Sequence, residues 1–183
     1  MIKTINDIVP DADDLRNLKY NYQPELTLKL DSVDSDFDEH IINEIVLWKI
    51  NRYANLDSGL LKSINGIKKG DKQKGIDNDI IRKLLSVKWI ALPVASTILR
   101  FKNPSTYQII DQRVYRRIWC GELSSTEKNV DKLTILYSDY LAKLRDACEK
   151  FGIEFENADR IFYSMDKKYN PDEKLKGYSS KKI

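Results

Sequence analysis

Few residues of this 183-residue chain offer the thiolate or imidazole ligands of transition metals: there are two cysteines, Cys120 and Cys148, and one histidine, His40. Together they fall short of the four ligands that structural zinc and iron–sulfur sites take, so no bound metal and no cofactor is expected. Both cysteines fall in helical patterns of a chain without a secretory leader, which predicts free, structural thiols rather than a disulfide. The cations carry more information. The net charge is only +3, yet residues 58–117 hold 13 Lys/Arg against 4 Asp/Glu, while residues 1–57 hold 6 against 12. The basic segment includes Lys62, Lys68, Lys69, Lys88, Arg100, Lys102, Arg113, Arg116 and Arg117. If half of them share a face they can neutralise several phosphates, which points to a nucleic-acid partner. A short cluster such as Lys68–Lys74 serves solubility equally well; the excess over the whole segment is what favours a phosphate-rich partner.

Hydrophobic residues make up 42% of the chain and charged residues 32%, with seven glycines and five prolines. That balance suits one compact domain or two small lobes, and it favours helices over turn-rich β-structure. No stretch approaches the roughly 18 apolar residues of a membrane span, and Met1–Pro10 lacks the layout of a leader, so a cytoplasmic protein without a membrane partner is expected. Ile41, Ile42, Ile45, Val46 and Trp48 recur at helical spacing and predict a helix over 38–54. Further helices are predicted over 57–66, over 77–86 with Asp77 or Asn78 as cap, and up to about 102 with Pro93 in the first turn. The remaining ones are 112–120 behind Asp111, 126–151 behind a capping box of Ser124 and Glu127, and 156–169. Residues 1–37 read as an irregular arm with one short helix near 11–19, residues 38–169 as the helical domain, and 170–183 as a polar, mobile tail. The expected class is therefore all-α.

Two of these elements carry a family pattern. Leu92-Pro-Val-Ala-Ser-Thr-Ile-Leu99, a Pro-containing turn, and Tyr107-Gln-Ile-Ile-Asp-Gln-Arg-Val-Tyr-Arg-Arg117 resemble the central motif of the helix-hairpin-helix DNA glycosylase superfamily. The likeness covers roughly residues 84–119. It implies a compact helical domain that binds DNA, takes a damaged or mispaired base out of the stack and cuts its N-glycosidic bond. Asp111 then stands at the essential aspartate of the family, stabilising positive charge on the sugar or activating a water. The other reading of Asp111 is an ordinary helix cap, since it directly precedes Gln112.

The departures from the pattern are specific. Members that also cleave the strand carry a Schiff-base lysine two residues before the motif alanine; counting back from Ala95, Pro93 holds that place and has no amine. The resemblance therefore implies a monofunctional hydrolase unless Lys88, Lys102 or another lysine reaches the sugar. The hairpin glycines are replaced by Val87-Lys88-Trp89-Ile90-Ala91-Leu92. A non-catalytic module that holds DNA or a protein on the same fold is the competing reading. Trp48, Trp89 and Tyr107 are the candidates for a base pocket or wedge, beside Tyr53, Tyr115 and Trp119, with core packing as the alternative for each. Lys49 and Arg52 flank Trp48 and would extend a basic face.

Overall fold

The computed structural model describes residues 2–17, 22–50, 54, 56–71, 76–124 and 126–175, and every regular element among them is helical. The order is α1 (Ala12–Asn17), α2 (Pro24–Asp31), α3 (Glu39–Ile50), α4 (Ser58–Gly66), α5 (Asn78–Leu85), α6 (Leu92–Lys102), α7 (Gln112–Trp119), α8 (Val130–Phe151) and α9 (Ala158–Tyr169). The all-α expectation holds. None of these helices is long and apolar enough to cross a membrane.

α6 is the axis of the fold. Leu92 and every residue from Val94 to Lys102 are buried, as the nearly unbroken apolar run requires of a helix covered on all sides. α3, α4 and α5 pack on it, α8 lies against α5 and α7, and α9 lies against α7. Cap chemistry sets the starts. Asp57, Asp77 and Asp111 accept the free N–H groups of α4, α5 and α7, and Gly152 ends α8 with φ +65°.

Two boundaries differ from expectation. α8 begins at Val130, because Asn129 rather than Ser124 caps it: Asn129 Oδ1 accepts from Lys132 N at 3.0 Å. Glu127 turns its carboxylate onto the N–H groups of Lys128 and Asn129 instead of back to Ser124. The second difference lies in the N-terminal segment: α1 falls on the short helix expected near 11–19, but α2 stands where only irregular chain is expected. The segment carries both helices, with Asp14, Thr27 and Leu30 buried. Its Pro24 sits in the first turn of α2, where a missing N–H is harmless. Of the expected mobile tail, Asn170 is buried and hydrogen-bonded to Lys3 and Asp166, whereas 176–183 lie outside the described residues.

Asp14 ties the N-terminal segment to α9, accepting from Lys168 Nζ at 2.7 Å and the Tyr169 hydroxyl at 2.9 Å. Burial alone would raise its pKa, but these hydrogen bonds outweigh it and hold the carboxyl below its ordinary value. A depressed carboxylate pKa contributes stability that is present above the unfolded value and lost as pH falls through the folded one. The melting temperature should therefore drop on acidification below about pH 4, and Asp14→Asn should flatten that drop. Circular dichroism melts from pH 3 to 7 check this; equal pH dependence in the two proteins contradicts it.

Candidate active site around Asp111

Asp111 is placed by the short extended segment that precedes it. Residues 107–110 run without helix between α6 and α7, and their backbone groups are satisfied by side chains from three helices. Ile110 N donates to Ser96 Oγ of α6 at 3.2 Å, and Ile109 N donates to Asp159 Oδ2 of α9 at 3.3 Å. The hydroxyls of Tyr137 and Tyr140 on α8 donate to the carbonyls of Gln108 and Ile109 at 2.9 and 2.6 Å. The chain is thus held on three sides just where it turns into α7, and Asp111 Oδ1 accepts from Val114 N at 2.8 Å.

Capping uses only part of this carboxylate. Asp111 opens onto a cavity of about 680 Å³, a volume suited to a ligand of nucleoside size. No side chain among the described residues hydrogen-bonds or ion-pairs with it. Trp48 and Lys49 of α3, Ile90–Pro93 of the turn into α6, Gln112 and Arg113 of α7, and Tyr22 and Tyr163 line the same cavity. Trp48 is fixed by its Nε1–H, which donates to Thr27 Oγ1 at 2.9 Å, and by edge contacts with Tyr22 and Phe101. Gln112 exchanges two hydrogen bonds with the backbone of Leu123 and so pins the α7–α8 loop that forms another wall.

Burial pushes the Asp111 carboxyl above its ordinary pKa, opposed by the charge of Lys49 and by the Val114 N–H. The Tyr163 hydroxyl is raised as well, by burial first and by the Asp111 charge next. A carboxylate so placed can stabilise a developing cation or take a proton from a water, and its immediate surroundings are aromatic rings and an amine.

Four of the cations expected on a basic face, Arg100, Lys102, Arg116 and Arg117, are withdrawn into the interior. Arg100 is buried and bound to Asp31 at 2.6 Å, and Lys102 is buried over the Phe37 ring with its Nζ on Asn65. Arg116 donates twice to the fully buried Asp166, and Arg113 once, at 2.8 Å. Arg117, with no exposed surface, donates to the Lys3 carbonyl at 2.7 Å. Apart from Arg113 at the cavity, these arginines and Lys102 hold the fold together. Of the other candidates, Lys68, Lys69 and Lys88 are exposed. Lys72, Lys74, Arg52 and Tyr53 lie outside the described residues.

The aromatic candidates separate too. Trp48 borders the cavity but is itself packed in the core, 2% exposed, and Tyr107 is a core residue away from the cavity whose hydroxyl accepts from Asp77 N at 3.3 Å. Trp89 stands at the turn between α5 and α6, 47% exposed, with φ +74° and Lys88 Nζ 5.1 Å from its ring. This left-handed conformation is one that glycine adopts freely and a bulky residue rarely does. The turn thus keeps a glycine-like backbone without the glycine. Tyr22, Tyr163 and Lys128 are cavity residues that the sequence did not single out as a site, and Lys49, expected on a basic face beside Trp48, lines the same cavity. Lys49 had a signal in its position beside Trp48; the others come from distant segments and had none. No family model, curated protein or solved structure matches the chain.

Proposed function

We propose that the protein is a helix-hairpin-helix DNA glycosylase-like enzyme that acts in base excision repair and hydrolyses the N-glycosidic bond of a base extruded into the Asp111 cavity. The observation that carries this reading is the Asp111 carboxylate, without a side-chain hydrogen bond or ion pair among the described residues, on a cavity lined by Trp48, Tyr22 and Tyr163. Breaking the glycosidic bond builds positive charge at the anomeric carbon, which a carboxylate held nearby lowers electrostatically, and aromatic walls accept the flat faces of an extruded base. α5 and α6 are two helices joined by the turn at 86–91, an arrangement that supports the reading. Pro93 lines the same cavity at the place of the strand-cleaving lysine, which supports hydrolysis without a lyase step.

The test is incubation with duplexes that carry 8-oxoguanine, uracil, alkylated bases or mismatches. Strands should stay intact until alkali is added, and borohydride should trap no protein–DNA adduct. Strand cleavage without alkali, with an adduct mapped to a lysine, would overturn the monofunctional assignment.

A non-catalytic DNA- or protein-binding module on the same fold is favoured by one observation, the withdrawal of Arg100, Lys102, Arg116 and Arg117 into the interior. Lesion-independent binding without base release would select it.

A further inference from the structure

Lys49 and Lys128 reach the Asp111 cavity from elements far apart in sequence, the last turn of α3 and the loop before α8. Neither ammonium group has an ion-pair partner among the described residues; Lys49 Nζ lies 5.8 Å from the Trp48 ring centroid. The nearby carboxylate of Glu127 is already engaged by the N–H groups of Lys128 and Asn129. Several cations of the interior do have carboxylates, since Arg100 and Arg160 share Asp31, Arg113 and Arg116 share Asp166, and Lys168 has Asp14, whereas the exposed Lys62, Lys68 and Lys88 show no ion pair among the described residues either. What sets Lys49 and Lys128 apart is their place: both line the cavity that holds the Asp111 carboxylate.

An unpaired ammonium at such a cavity is best matched by an anion that arrives with the ligand, and a DNA strand brings one phosphate per nucleotide. We infer that Lys49 and Lys128 bind the backbone phosphates next to the nucleotide whose base enters the cavity. These two lysines, rather than the arginine-bearing α7, make the ionic contact that holds the strand at the site. Lys49 serves the carboxylate as well, since its charge is the largest influence opposing the burial of Asp111. The inference rests on the glycosylase reading for the ligand, while the binding it describes can be measured without any catalysis.

The experiment is fluorescence anisotropy of the full chain with a duplex containing one tetrahydrofuran abasic analogue, from 50 to 300 mM salt. Lys49→Gln and Lys128→Gln should each reduce the log–log salt slope by about 0.9, and the double variant by about 1.8. Lys→Arg at either position should restore the slope. Lys150→Gln, at the far end of α8, should leave it unchanged. Wild-type slopes in the Gln variants, or no binding of the duplex by the parent at 50 mM salt, would overturn the inference. Base release scored in parallel separates the two claims. Lysine-dependent binding without release refutes only the glycosylase reading, and release with lysine-independent binding refutes only the phosphate contacts.

Discussion

Asp111→Asn should fold and bind DNA like the parent and lose base release by several orders of magnitude. Asparagine caps a helix as well as aspartate does, so the hydrogen bond to Val114 N survives the substitution. What disappears is the charge, and with it the electrostatic stabilisation of the cationic sugar. Burial adds a pH signature. Because the carboxyl is raised above its ordinary value, the parent's base release should fall away on acidification at a higher pH than an ordinary aspartate would give. The sign for stability is the reverse of that for Asp14: a raised carboxyl pKa favours the folded state at low pH, and that contribution is lost as pH rises from the unfolded value through the folded one. Asn does not ionise, so near neutrality the variant should melt no lower than the parent. A variant that keeps more than about a tenth of the parent's single-turnover rate, a barrier change under roughly 1.4 kcal/mol, would leave the cap as the whole role of Asp111.

The largest effect on stability is expected at Asp166. This carboxylate has no exposed surface and accepts from Arg116 Nε and Nη2 at 2.6 Å each, from Arg113 Nη1 at 2.8 Å and from Asn170 Nδ2 at 3.1 Å. From α9 it holds Arg113 and Arg116 of α7, the helix that Asp111 caps. Removing one partner of a buried ion pair leaves a charge without compensation, so Asp166→Ala should destabilise by about 3–5 kcal/mol, and in a chain of this size the melting temperature should fall by roughly 10 °C or more. Lys83→Gln, which breaks the solvent-exposed pair with Asp79 on α5, is the control and should leave the melting temperature almost unmoved. Similar melts for the two variants would show that the Asp166 cluster does not anchor α7.

What the sequence made legible was local. Asp77 and Asp111 cap the helices expected behind them, because a cap needs only its own residue and the next three. α6 was legible because an apolar run of that length has to be buried. α2 was not, since only Thr27 and Leu30 of its eight residues are buried and too few apolar positions repeat to show a period. The charge count failed for a different reason. Arg100, Arg116 and Arg117 find Asp31, Asp166 and the Lys3 carbonyl at separations of 69, 50 and 114 residues. Nothing in local composition distinguishes a cation with a remote counter-ion from one facing solvent. The same limit hid Tyr22, Tyr163 and Lys128, which meet Asp111 only once α3, α7 and α9 have packed.

The most direct measurement is chromatographic detection of free base after single-turnover incubation of the full chain with each lesion duplex. Asp111 facing an aromatic-walled cavity predicts that at least one duplex yields free base in amounts equal to its alkali-labile sites, and that the Asp111→Asn variant yields none above background. Tight, salt-sensitive binding of every duplex with no free base from any of them would contradict the account and leave a DNA-holding module in its place.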